Sequence, residues 1–308
     1  MEQIYVVMLV VLGILALLDL VVGVSNDAVN FLNSAIGSKA VSFKTIMIVA
    51  SLGVAVGALF SSGMMEIARS GIFIPSMFSF NDVMIIFLAV MITDILLLDV
   101  FNSMGLPTST TVSIIFELLG AAVCLALYHI YISEDSTQSL GNYINTKKAT
   151  EIVSSILLSV LLSFGLGSLV QYLSRIIFTF QYEKRLKYIG SLFGGLAITA
   201  ITFFILIKGL KGVSFISKDT YGWIQDNQLM IIGINFVFFT LLSQVLISVF
   251  KVNILRIIIV IGTFALALAF AGNDLVNFIG VPIAAYNSYE IFTASGLSGD
   301  KLMMGDLA

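Results

Sequence analysis

Apolar runs of about twenty residues recur along this chain, separated by short polar stretches. A helix needs about 20 apolar residues to cross the ~30 Å hydrocarbon core of a bilayer. The runs at 4–22, 45–62, 82–101, 105–131, 152–180, 188–207, 229–250 and 254–271 therefore predict spanning helices. The polar interruptions are 63–80 with Glu66, Arg69 and Pro75, then 133–150, 181–187 (QYEKRLK), and 208–227 with Trp223. Trp223 reads as an interface anchor. Short basic loops tend to face the cytoplasm, so QYEKRLK is placed inside. Counting each run as one crossing then puts the N-terminus outside and Lys39, Lys44, Lys251 and Arg256 inside. The N-terminus lacks the positive region of a signal peptide, so its first run is read as a retained span.

The pattern fails at two places. After the first run comes GVSNDAVNFLNSAIGS, residues 23–38, with Asn26, Asp27, Asn30 and Asn33. After the run at 254–271 the chain repeats itself as AGNDLVNFIG, residues 271–280, with Asn273, Asp274 and Asn277. Amides and a carboxylate at membrane depth are costly, and such groups line cavities or ion paths. Two copies point to a duplicated architecture with a site between the halves. On a helix, Asn26, Asp27 and Asn30 share a face. Gly23 and Ser25 favour a break in the span, which would free carbonyl oxygens beside the side chains. Asp, Asn and carbonyl oxygens are hard ligands, suited to a hard cation such as Na⁺. The second copy has Gly272 at the position of Ser25 and Phe270 at that of Gly23. The competing reading is that these side chains only cap broken helices and bond neighbouring ones.

Composition agrees with a multi-pass membrane protein. Of 308 residues, 59% are hydrophobic and 11% charged, against about 25% charged in a soluble domain. Mean hydropathy is +1.07. The formal net charge of −3 comes with no basic tract, so a nucleic-acid partner is not expected. One cysteine, Cys124, excludes an internal disulfide and reads as a small packing residue. One histidine, His129, stands near the end of a span and is read as interfacial. No Ser–His–Asp set, histidine-rich cluster or nucleotide-binding loop suggests an enzyme or a bound cofactor.

A third segment, GLPTSTT at 105–111, opens another run. Pro107 is suited to a helix start. Ser109, Thr110 and Thr111 would then offer hydroxyls in the first turn, beside unpaired N–H groups, a natural seat for a tetrahedral oxyanion. An ordinary capped helix is the alternative. No Lys or Arg stands in the middle of the surrounding runs, so an anion would be held by helix ends, hydroxyls and bound cations. Further acids lie in apolar sequence: Asp19, Asp94, Asp99 and Glu117. Asp94 and Asp99, five apart, point in different directions on a helix. Each acid is open to three roles: cation ligand, proton carrier, or partner of a neighbouring helix.

These residues resemble a known family. GVSNDAVNFLNSAIGS is similar to the first signature of the inorganic phosphate transporter (PiT) family, close to G-A-N-D-V-A-N-x-x-x-x-x-x-G-S. AGNDLVNFIGVP resembles its second copy. GLPTSTTVSIIFELLG resembles the family's G-x-P-V-S-T-T-H-x-x-x-G-x-x-x-G. The likeness covers most of residues 1–290 and is sharp in the motifs. It departs at Val112, where the family often has His, and at Phe116 and Glu117, where small residues are usual. The chain also ends at Ala308 before any second P-x-S-T-T segment, and SGLSGDKLMMGDLA is no convincing terminal helix. A fragment of a longer protein is expected, rather than a chain completed by a second polypeptide.

The resemblance implies an all-α polytopic membrane protein: an inverted-repeat secondary transporter with broken or re-entrant helices. It implies symport of inorganic phosphate with Na⁺, or with H⁺, across the cell membrane. Asn26, Asp27, Asn273 and Asp274 become the expected Na⁺ ligands. Ser109, Thr110 and Thr111, with Asn30 and Asn277, become the expected phosphate ligands. Asp19, Asp94 and Glu117 remain candidate coupling acids. The first repeat is placed at 1–131, connecting spans and loops at 132–227, and the start of the second repeat at 228–308. A homo-oligomer is compatible with this reading. Sulfate carriage, a cation channel and a non-transporting subunit are the rivals.

Overall fold

The computed structural model describes residues 2–59, 71–133, 138–179, 182–209 and 217–305. Among these the chain is helical almost throughout. In order the helices are α1 Glu2–Ser38, α2 Phe43–Leu59, α3 Phe80–Met104, α4 Thr110–Ile132, α5 Thr146–Phe178, α6 Tyr182–Phe204, α7 Lys218–Asp226, α8 Gln228–Ser248, α9 Ile254–Asn273 and α10 Leu275–Ser295. Extended pairing among the described residues is limited to the bridges Phe73–Ile144 and Ser79–Met303. Among the described residues, seven helical stretches are long and apolar enough to cross a membrane, with α9 and α10 counted as one and α2, at 17 residues, falling short. This is a multi-pass, all-helical membrane protein. Its exposed side chains include long rows of Leu, Ile and Val on α1, α5 and α8. A water-soluble monomer does not carry apolar patches of that extent, and in a bilayer such rows meet lipid.

Three local expectations change. Residues 275–295 form α10, which runs through Pro282. The polar stretch 208–227 encloses α7, whose N-cap Ser217 accepts from the Thr220 N–H. Cys124 is exposed on α4 and does not pack in a core.

The helices form two compact units, one drawn from three parts of the chain, Met1–Val29, Met64–Leu157 and Asp274–Ala308, the other from two, Asn30–Gly63 and Leu158–Asn273. The unit boundaries fall inside α1 and α5 and between α9 and α10. The expected repeat boundaries concern duplication, not packing, and describe a different division.

The first unit is built on an aromatic core. Phe80 stacks on Phe292 at 4.4 Å, and Tyr5 meets both rings edge-on. Phe78, Phe80 and Phe87 are fully buried. The start of α3 is fixed by a capping box, with Ser79 accepting from the Asp82 N–H and Asp82 from the Ser79 N–H. His129, in the last turn of α4, stands 3.1 Å from the same Asp82 and stacks on Tyr143. The described part of the tail after α10, residues 296–305, is not helical, as expected. It folds back so that Phe80 N–H donates to Leu302 and Met304 N–H to Phe78.

The second unit is held by close backbone contact. α2 lies on α9 with Gly53 and Gly57 facing the Phe264 and Leu268 carbonyls and the Ala267 and Ala271 methyls. A Cβ at either glycine would overlap that backbone. Small residues four apart are the usual means of close helix approach in membranes. α6 lies on α8 in the same way, Gly194 against Ser243 and Gly195 against Thr240.

Candidate functional site

The candidate site forms around the first turn of α4, within the first unit. α3 ends at Gly105, whose left-handed backbone (φ 68°) turns the chain, and its N–H returns to the Asn102 carbonyl. The segment that follows is not yet helix. Asn26, buried in α1, donates through Nδ2 to the Leu106 carbonyl (3.1 Å) and to Asn102 Oδ1 (2.8 Å). Its Oδ1 accepts from the Thr108 N–H at 2.8 Å. Asn102 in turn donates to the Val22 carbonyl at 3.0 Å. The amide of Asn26 thus spends both hydrogens and one lone pair on shaping residues 102–108.

That clamp corrects the reading of Pro107. The helix does not begin there; it begins at Thr110 with Ser109 as its N-cap, accepting weakly from the Val112 N–H at 3.4 Å. Asn26 occupies the Leu106 carbonyl, which a helix begun at Pro107 would need for its first bond.

The two signature acids meet this turn at adjacent residues. Thr110 donates to Asp27 Oδ2 at 3.3 Å. Thr111 donates to Asp274 Oδ1 at 2.9 Å and accepts from Asn277 Nδ2 at 2.7 Å. Thr110 and Asp27 are 1% and 4% exposed, so this is an interior arrangement. Carboxylates are favoured at a helix N-terminus, where the dipole and free N–H groups are positive. Among the described residues no Lys or Arg is buried. Oxygen atoms and one helix end therefore supply all the chemistry: hydroxyl and N–H donors for an anion, carboxylates and carbonyls for a hard cation.

The two copies of the motif fold differently. The break expected at Gly23–Ser25 is absent, and α1 continues from Glu2 to Ser38. Ser25 bonds back to the Val21 carbonyl at 2.7 Å and so stays within the helix. Gly23 is used for contact: a Cβ there would fall on the ring of Phe278. In the second copy the helix does break, at Asp274 between α9 and α10. Asp274 makes no capping bond of its own, which leaves its carboxylate for Thr111.

Not every expected residue joins this group. Asn30 is exposed and opens the second unit. Asn273 closes α9, but its side chain lies outside the described residues. Asp19, Asp94 and Glu117 gather deeper in the first unit, around Ser113. Asp99 is exposed, on another side of α3 from Asp94, as the spacing predicted. Sequence reasoning missed Asn102 and Ser113. Ser113 is a polar residue within an apolar run and Asn102 stands at the end of one, and that was the available signal.

The model of the phosphate transporter family matches residues 23–301 of this chain. The chain belongs to that family. Two archaeal relatives, both predicted to be phosphate permeases, align over 90% of the chain: one from Thermococcus kodakarensis at 30% identity, one from Pyrococcus furiosus at 28%. The chain spans 65% and 64% of their lengths. A solved structure of a sodium-dependent phosphate transporter shares the fold, with a TM-score of 0.64 over 97% of this chain and 71% of that one, at 20% identity. In family terms, the residues around the first turn of α4 are those of the two N-D-x-x-N copies and the P-x-S-T-T segment, brought to one place.

Proposed function

We propose that this protein carries inorganic phosphate across the cell membrane together with Na⁺. The observation that carries the reading is the pairing of Asp27 with Thr110 and Asp274 with Thr111 at one helix N-terminus, with no basic side chain buried among the described residues. A phosphate group holds about −1.5 to −2 charges at neutral pH. Taking that charge out of water needs countercharge. With no guanidinium or ammonium to supply it, bound cations must, and hard cations suit Asp27 and Asp274. Na⁺ between these acids and the phosphate oxygens would let the anion approach two carboxylates that otherwise repel it. Ser109 and the free N–H groups of the first turn of α4 would donate to the phosphate, Thr110, Thr111 and Asn277 would join them once Na⁺ takes over Asp27 and Asp274, and Asn26 would hold the segment that presents them. The family, and a fold shared with a sodium-dependent phosphate transporter, support the same substrates. Alternating access would move one part of the protein against the other around this site.

The test is uptake of radiolabelled phosphate into proteoliposomes by the full-length protein, with and without a Na⁺ gradient, beside Asp27→Asn and Asp274→Asn. Uptake that requires Na⁺ and fails in both variants is the expected result. Uptake driven by a proton gradient alone would overturn the ion. Carriage of sulfate in place of phosphate would overturn the substrate, and passive cation current with neither anion moved would leave a channel.

A further inference from the structure

One turn and more beyond the site, α4 faces a second group of acids that phosphate and Na⁺ do not explain. Ser113 Oγ lies 2.7 Å from Asp94 Oδ1, on α3, and 2.8 Å from Glu117 Oε1, on α4. Asp19, from α1, faces Asp94 and Glu117. Asp19 and Asp94 are both 0% exposed. Asp19 pairs with Asp94, and Asp94 with Glu117, carboxyl to carboxyl, while no hydroxyl, amide or basic group donates to either oxygen of Asp19 or to the second oxygens of Asp94 and Glu117. The groups that act on the three carboxyls are one another and Ser113; no Lys, Arg or His is among them. α10, which packs on α3 and α4, carries Tyr286, Tyr289 and Glu290 as titratable groups, and none of these acts on the cluster.

Hydrogen counting constrains what this cluster holds. A serine hydroxyl has one hydrogen to donate. Two carboxyl oxygens stand at 2.7 and 2.8 Å from Ser113 Oγ and compete for that one hydrogen. A full bond to each needs one carboxyl to donate, which it does only when protonated. A bound proton therefore satisfies this arrangement better than three bare carboxylates. Three bare carboxylates with no cation would be prohibitive in an apolar interior. A metal ion is not indicated, since the described residues hold no three acids or histidines placed to ligate one.

The cluster also borders a cavity. It measures about 510 Å³, lies between α3 and α4, and has a mainly apolar wall, with Phe101, Val112 and Phe116 beside the polar Thr93, Thr108, Ser113 and Glu117. Asp19 and Asp94 are not in that wall. Glu117 is thus the outer acid, Asp94 the inner one, and Ser113 stands between them.

We propose that Asp19, Asp94, Ser113 and Glu117 form a proton-binding site that fills and empties through this cavity by way of Glu117. Water in the cavity would give a proton to Glu117. Glu117 then passes it to Ser113 Oγ as Ser113 passes its own to Asp94, so one proton enters and none is consumed. Asp19, fully buried and paired only with the other acids, faces the inner acid and accepts next. The site is separate from the Na⁺ and phosphate ligands and gives the carrier a second, pH-dependent input. Its effect on transport rests on the function proposed above; the proton binding itself does not.

Infrared difference spectroscopy between acidic and alkaline pH, on the full-length protein in lipid without substrate, reads the carboxyls directly. A protonated-carboxyl band that titrates, and is lost in Glu117→Gln or Asp94→Asn but retained in Asp99→Asn, is expected. Glutamine can donate and accept like a protonated acid, so Glu117→Gln is the variant expected to fold. A band absent from the unsubstituted protein, unchanged in both cluster variants, or titrated by Na⁺ instead of pH would overturn the assignment. A second arm measures Na⁺-driven phosphate uptake against pH, where Glu117→Gln should lose the pH dependence. If the infrared band behaves as expected while no phosphate moves, the proton site stands and the transport reading falls. If Na⁺ drives uptake and the band does not titrate, the reverse holds.

Discussion

Thr111→Val tests the centre of the candidate site with the smallest change of shape. Thr111 Oγ1 donates to Asp274 at 2.9 Å and accepts from Asn277 at 2.7 Å, so it joins the first turn of α4 to the first turn of α10. Valine keeps the branched outline and removes both bonds. Side-chain hydrogen bonds between membrane helices average about 0.6 kcal/mol and reach about 1.7 kcal/mol. Two bonds therefore give a loss of about 1.2 to 3.4 kcal/mol. The upper end is expected, because Asp274 is left with a partly buried carboxylate and no capping bond to fall back on.

The assay is equilibrium unfolding in mixed detergent micelles for the unsubstituted protein, Thr111→Val, Asn277→Ala and the double variant. The two residues share a bond, so the cycle should be non-additive by about 0.6 to 1.7 kcal/mol. Thr111→Ser, which keeps the hydroxyl, should recover most of the stability and the phosphate uptake. Stability of Thr111→Val within about 0.5 kcal/mol of the parent, or a cycle additive to that margin, would refute the bridging role.

Two further substitutions test other parts of the argument. Asn26→Leu removes three bonds to residues 102–108; hydrogen exchange at Thr108 should rise and phosphate uptake should be lost, whereas unchanged exchange there would show that Asn26 does not shape the segment. Gly57→Val drives a side chain into the Leu268 carbonyl and should destabilise the second unit by about 1–3 kcal/mol, read as earlier thermal unfolding; an unshifted transition would mean that α2 and α9 do not pack this closely.

The long helices were legible because hydrocarbon thickness acts on each run by itself, and the eight apolar runs correspond to α1–α6, α8 and α9. The importance of Asn26, Asp27 and Asp274 was legible for a similar reason, since polar groups at membrane depth stand out locally. Their partners were not. Thr110 is 83 residues from Asp27, and Thr111 is 163 from Asp274, and single-sequence patterning carries no information on such pairs. Gly23 was misread because glycine both breaks helices and lets them touch; only the ring of Phe278 above it decides which. α10 was not assigned because the run was followed only to residue 271; Pro282 within the helix is itself a local signal against one. In a membrane, neighbouring helices and local adjustments re-satisfy the backbone groups that proline frees, so the penalty is smaller than in water.

The two signature copies show how a duplication can be close in sequence and unequal in structure. Phe278 of the second copy packs on Gly23, three residues before the Asn-Asp pair of the first. Phe31 of the first copy packs on Phe270, three residues before the pair of the second, with ring centres 5.1 Å apart. Each copy's phenylalanine therefore meets the same position in the other copy. Reciprocal contacts of this kind are the mark of two-fold-related elements, and they arise naturally from inverted repeats. The equivalent positions nevertheless differ in size, glycine in one and phenylalanine in the other. At Gly23 the partner ring lies directly on the helix, and α1 runs on without a break. At Phe270 two rings must be accommodated, and the helix breaks four residues later at Asp274. That break turns the Asp274 carboxylate toward Thr111, while Asp27 reaches Thr110 from an intact helix. One α4 N-terminus receives both acids because the two copies are not alike.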